Sequence, residues 1–179
     1  CCFTVDNEQG GYLAAKAVID CGHTRIAYIS GPEFKEDARM RLDGHKRALA
    51  EAGLVFEDAL HYRGNYNEDG GKIGFDKLSE QKFTALVCAN DEMATGAMYS
   101  ARKHGLDLPH DLSIVGYDDQ VFARYTYPTL TTIKNPIAEM GSMAAKWVLK
   151  EVYNINTSEI IHNTFEPKLI IRNSIEENI

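Results

Sequence analysis

Three short runs constrain this chain more than anything else in it: Arg25 to Ser30 (RIAYIS), Thr84 to Ala89 (TALVCA) and Leu112 to Gly116 (LSIVG). Each is apolar at consecutive positions rather than alternate ones, the pattern of a strand covered on both faces. Amphipathic helical stretches separate them. Residues 8–21 carry Leu13, Ala14, Ala17 and Val18 behind a cap at Asp6-Asn7 and stop at Gly22. Residues 37–52 place Leu42, His45, Leu49 and Ala52 on one stripe and end at Gly53. Further helices are predicted over 68–80, 91–104 and 137–153, the last with Ile137, Met140, Ala144, Trp147 and Val148 on one face. Shorter strands are expected at 1–5 (CCFTV), 60–62 and 130–133 (LTTI), and near 160–165 and 168–172. Strands alternating with helices over short connections predict an α/β fold, an open and mostly parallel sheet flanked by helices.

Composition removes whole classes of function. A chain of 179 residues that is 44% hydrophobic and 25% charged can bury a full core. With 19 Lys and Arg against 26 Asp and Glu the formal charge is −7. That lacks the positive footprint of a surface that grips nucleic acid by itself. No apolar run approaches the roughly 18 residues that spanning a membrane needs. The opening CCFTVDNEQGG has neither the basic end nor the apolar core of a secretion signal. It starts without Met on a predicted strand, so the chain is expected to be a segment of a longer protein. Cys1, Cys2, Cys21 and Cys88 form no CxxC pair and cluster with no histidines. They read as reduced thiols of a cytoplasmic protein, with Cys21 and Cys88 largely buried and no metal or cofactor implied.

Ligands of such sheets bind where loops and helix N-termini converge at the carboxyl ends of the strands. Three of those ends carry polar clusters: Asn90-Asp91 after TALVCA, Tyr117-Asp118-Asp119 after LSIVG, and Lys134-Asn135 after LTTI. The loop after RIAYIS leads into a helix with Arg39 and Arg41. Carboxylates and amides make paired hydrogen bonds to vicinal hydroxyls, and arginine adds a fixed fork of donors. The set therefore suits a polyhydroxylated small molecule, with Phe34, Tyr66, Tyr117 and Phe122 as candidate walls. Duller roles stand beside these: Asn90 and Asp91 as a helix cap, Asp118-Asp119 as a solvated turn, Arg41 as an exposed helix residue. No GxSxG, P-loop, HExxH or GxGxxG motif is present, and neighbouring Asp118 and Asp119 do not make a facing carboxylate pair. Nothing proposes an enzymatic reaction.

The order of these segments resembles the LacI/GalR family of bacterial transcription regulators. The resemblance is carried by Gly22 to Gly31 (GHTRIAYISG), Arg41-x-x-Gly44, Asn90-Asp91-x-Met93-Ala94 and Ile114 to Asp119 (IVGYDD). Pro128-x-Leu130-Thr131-Thr132-Ile133 and Pro167-x-Leu169-Ile170-x-Arg172-x-Ser174 complete it. In register, these cover nearly the whole chain, and the 118–135 stretch is closest in flavour to galactose-type repressors. The resemblance implies a two-lobed, periplasmic-binding-protein-like effector region. Residues 1–30 would close the N-terminal lobe, 31–133 would form the C-terminal lobe, and 134–179 would supply a crossover helix and terminal strands. It implies a sugar-like effector held by Arg41, Asn90 and Asp118, with Asn135 and Tyr66 as further contacts. Operator DNA would be bound through a headpiece outside this chain. A homodimer would pack through the helix after Asn90-Asp91, by way of Met93, Ala94, Ala97 and Met98. The alternative on the same fold is a periplasmic sugar-binding protein of a transport system.

Overall fold

The computed structural model describes residues 2–155 and 160–178, so that Cys1 of the expected opening strand lies outside them. In chain order the elements are β1 (Thr4–Val5), α1 (Asn7–Ile19), β2 (Ile26–Ser30), α2 (Glu36–Glu51), β3 (His61–Arg63), α3 (Glu68–Leu78) and β4 (Ala85–Cys88). They continue with α4 (Asp91–Lys103), β5 (Ser113–Asp118), β6 (Thr131–Lys134), α5 (Ile137–Glu151), β7 (Thr164–Phe165) and β8 (Lys168–Ile170). Six strands form one sheet in the order β3-β2-β4-β5-β6-β8, parallel except for β8. The three apolar runs are its centre. Every residue of β2 and β4 is buried, as are the first five of β5, because helices cover both faces.

Strand β1 does not join that sheet. It pairs in parallel with β7, Thr4 opposite Thr164 and Val5 opposite Phe165. The expected division at residue 30 therefore moves. The element β2 lies between β3 and β4, and α1 packs against α2, so α1 and β2 belong with the six-stranded sheet. The terminal segment divides likewise: β7 pairs with β1, whereas β8 pairs with β6. Three links connect the two sheets, at Asp6 between β1 and α1, at Asn135-Pro136 between β6 and α5, and at Glu166-Pro167 between β7 and β8. The helix α5 leaves Ile137, Val148 and Leu149 exposed, with Met143 its buried residue.

The seam between α1 and α2 is unusually close. A Cβ on Gly11 would lie 2.0 Å from the Arg41 carbonyl oxygen, and one on Gly44 would lie 1.9 Å from that of Glu8. The two backbones touch because neither glycine has a side chain to hold them apart. This contact brings the start of α1 against the second turn of α2, where Arg41 stands.

The expected homodimer face is corrected by burial. Met93, Ala94 and Ala97 are 0% exposed and Met98 is 1%, all within the main core beneath α4. They cover the sheet and cannot meet a second chain, whereas Tyr99 on the same helix is exposed. Cys88 is buried, Cys21 is only half-buried and Cys2 is exposed, all as free thiols.

Candidate functional site

The carboxyl edge of the sheet is organised around Arg41, which is 5% exposed. Its Nε donates to Asn7 Oδ1 at 2.9 Å and Nη1 to the Ala89 carbonyl at 2.6 Å. The guanidinium lies 3.7 Å above the Tyr117 ring, a cation–π contact in a desolvated setting. Its Nη2 stands 3.8 Å from both Asp37 and Asp118. At that distance Nη2 is within ion-pair range of both carboxylates but hydrogen-bonded to neither. The helix α1 is what makes this arrangement work, since Asn7 at its first turn reaches Arg41 only across the glycine seam.

Asp118 ends β5 beside β6, opposite Lys134. The strand runs two residues beyond the expected Gly116, because Tyr117 and Asp118 continue the ladder to Ile133 and Lys134. Asp118 adopts a φ of 109° and Asp119 one of 53°, both unusual for residues with side chains. Burial pushes the Asp118 carboxyl up to about 6, against the opposing pull of Arg41 and a hydrogen bond from Asn135. Asn135 in turn has a buried Oδ1 with no hydrogen-bond partner among the described residues. A hollow of about 220 Å³ opens there, walled by Asp118, Val121, Asn135, Pro136 and Ile137. Larger hollows of about 460 and 490 Å³ lie elsewhere, one between Phe75, Phe83 and Leu112 and one beside Met143 and Phe165.

Asn90 and Tyr66 act as a pair. The Asn90 Oδ1 caps α4 by accepting from Met93 N–H at 3.0 Å, and its Nδ2 donates to the Tyr66 carbonyl at 2.8 Å. This bond holds Tyr66 at a φ of 68°, with the ring lying over Gly31 and 5.9 Å from the Arg41 guanidinium. The cap reading of Asn90 is thus correct, and it positions Tyr66 at the same time. Phe34 is 79% exposed and Phe122 36%, and among the described residues no ring contact or hydrogen bond ties either to Arg41 or Asp118. Asp119 is not a free ligand, since it pairs with Arg172 and lies 3.7 Å from Arg124. Sequence reasoning missed Asn7 and Asp37 altogether. In sequence Asn7 reads as part of the helix cap, and Asp37 carries a signal only in its spacing of four from Arg41.

Together these residues define a class: an α/β binding domain whose polar crevice at the sheet edge presents acceptors and one arginine. The chain belongs to the periplasmic binding protein-like domain family, whose model matches residues 15–175, in the form found in LacI/GalR-type regulators. It is 39% identical over 176 residues to the HTH-type transcriptional regulator GalR of Escherichia coli strain K12, covering 97% of this chain and 51% of that protein. It is 40% identical over 174 residues to the ribose operon repressor of Haemophilus influenzae, covering 95% and 52%. Its structure superposes with a TM-score of 0.91 and 33% identity on a sugar-binding transcriptional regulator of the LacI family from Escherichia coli complexed with phosphate, covering 97% of this chain and 63% of that one. The chain spans about half the length of the curated relatives it matches. Among the described residues no helix is long and apolar enough to cross a membrane.

Proposed function

We propose that this chain is the effector-sensing region of a cytoplasmic transcriptional repressor, binding a sugar without turning it over. The observation that carries the reading is Asp118, which stands 3.8 Å from Arg41 and lines one hollow together with Asn135. Charge narrows the ligand class. The guanidinium already stands between two carboxylates, so the site as built favours an uncharged polyol over a phosphorylated or carboxylated sugar. Hydroxyls would donate to Asp118 and Asn135, Arg41 would donate to a ring or hydroxyl oxygen, and Tyr66 would cover an apolar face.

In this reading β1, α5 and β7 belong to the first lobe and the six-stranded sheet to the second, with the effector between them. The bare apolar face of α5 is where the remainder of the first lobe would pack. The regulator forms a homodimer that uses exposed side chains such as Tyr99 rather than the buried face of α4. Operator DNA is contacted by a headpiece outside this chain, and effector shifts the balance between DNA-holding and DNA-releasing arrangements by binding one of them more tightly. The matched relatives are named as regulators and repressors, which supports this reading over a transport receptor.

The test is calorimetric titration of the full-length protein with D-galactose and D-ribose, paired with a gel-shift measurement of operator release. Binding that is lost in Asp118→Asn, together with effector-dependent release of DNA, is the expected outcome. A full-length protein that binds sugar normally after Asp118→Asn would overturn the site, and one that binds no DNA would overturn the regulator.

A further inference from the structure

Asp91 is 0% exposed and opens α4, yet its carboxylate does not cap that helix. Asn90 does so, leaving the Asp91 oxygens to face β6 and the turn after β5. Oδ2 accepts from the Gln120 backbone N–H at 2.8 Å, and Oδ1 accepts from the Thr132 hydroxyl at 2.6 Å. The Thr132 oxygen in turn accepts from Asp119 N–H at 3.4 Å. Two consecutive amides immediately after Asp118 therefore hang, directly or through one hydroxyl, on a single carboxylate. Gly116 makes the room, since a Cβ there would stand 2.2 Å from Asp91 Oδ1.

We propose that Asp91 is the positioning residue of the effector site, acting through Gln120 N–H and the Thr132 hydroxyl to hold Asp118 in its left-handed conformation. A residue with a side chain at a φ of 109°, followed by another at 53°, persists only where its surroundings over-determine it. The two tethers from Asp91 supply that constraint. No cation pairs with Asp91 among the described residues. Burial, together with the charges of Asp118 and Asp119, pushes its carboxyl up to about 7 despite both hydrogen bonds. A buried acid without a countercharge is a poor way to stabilise a fold, and its placement is explained by what it holds.

The inference rests on the sugar-site reading for its functional consequence, but its first test needs no sugar. Amide hydrogen exchange in the full-length protein should show Asp119 and Gln120 exchanging at least tenfold faster in Asp91→Ala, with β2 and α3 unchanged. Asp91→Asn retains an acceptor for Gln120 N–H and a donor for the Thr132 oxygen, so it should restore most of the protection. Thr132→Val should release Asp119 N–H and leave Gln120 N–H held. Unchanged exchange at Gln120 in Asp91→Ala, or acceleration spread evenly over β2, β4 and β5, would overturn the proposal. With D-galactose or D-ribose bound by the parent, Asp91→Ala should weaken affinity about tenfold, and Asp91→Asn should restore most of it. If no sugar binds while the exchange pattern holds, the effector reading fails and the positioning role stands.

Discussion

Replacing Arg41 by Met tests whether this residue anchors the fold as well as the ligand. Met keeps much of the aliphatic stem but deletes the guanidinium, leaving Asn7 Oδ1 and the Ala89 carbonyl without their donor. Two buried hydrogen bonds to a charged group, at about 1.5–3 kcal/mol each, set a gross loss of about 3–6 kcal/mol. Part returns because a buried charge no longer has to be desolvated, so the net cost should be about 3–4 kcal/mol. For a chain of this size each kcal/mol moves the melting temperature by about 2–4 °C, giving a drop of roughly 6–16 °C by calorimetry or circular dichroism. Asp118→Asn is the control. A carboxyl with a folded pKa of about 6 and an unfolded one of about 3.9 costs the fold about 3 kcal/mol when ionised at neutral pH, and the amide removes that cost. Asp118→Asn should therefore melt at or above the parent temperature while losing sugar binding. An Arg41→Met protein that melts within about 2 °C of the parent would refute the anchoring argument. An Asp118→Asn protein destabilised as much as Arg41→Met would make Asp118 a fold residue and remove the site with it.

The same titrations set opposing pH trends. Folded-state values of about 7 for Asp91 and about 6 for Asp118 lie above the ordinary carboxyl value near ~4, so the folded chain holds protons that the unfolded one has released. Their contribution to stability is present near pH ~4 and lost as pH rises through about 6 and 7, whereas sugar affinity should fall below about pH 6 as Asp118 protonates; melts and calorimetry from pH ~5 to ~8 check both. Gly11→Ala drives a Cβ to 2.0 Å from the Arg41 carbonyl oxygen, and urea unfolding should show a loss of about 1–3 kcal/mol even after the gain in helix propensity. Met98→Ala should cost about 2–5 kcal/mol of stability, while sedimentation of the folded variant should give the parent's oligomeric mass.

Much of this architecture was legible because apolar runs and helix stops are local signals. RIAYIS, TALVCA and LSIVG became β2, β4 and β5, and the cap at Asp6 does accept from Gln9 N–H. What failed was tertiary. Periodicity shows that Met93, Ala94, Ala97 and Met98 share a face but not whether a sheet or a second chain covers it. Arg41 reads as an exposed helix residue until the glycine seam seals α1 over it. The placement of β1 with β7, some 160 positions apart in sequence, leaves no trace in either two-residue strand. Phe34 lies on the expected loop and Phe122 in a short 3-10 turn over Val121–Arg124, but neither placement determines where a ring points.

The links at Asp6, Asn135-Pro136 and Glu166-Pro167 have a mechanical consequence. A single tether would let one sheet swivel freely against the other, whereas three short tethers leave little besides bending about a line through them. Two of the three carry or adjoin site residues: Asn7 follows the first, and Asn135 is itself part of the second. A ligand that gripped Asn135 and reoriented Arg41, as proposed above, would thus pull on the bending axis itself. Its binding energy would enter such a motion at the pivot, with no relay through the core required.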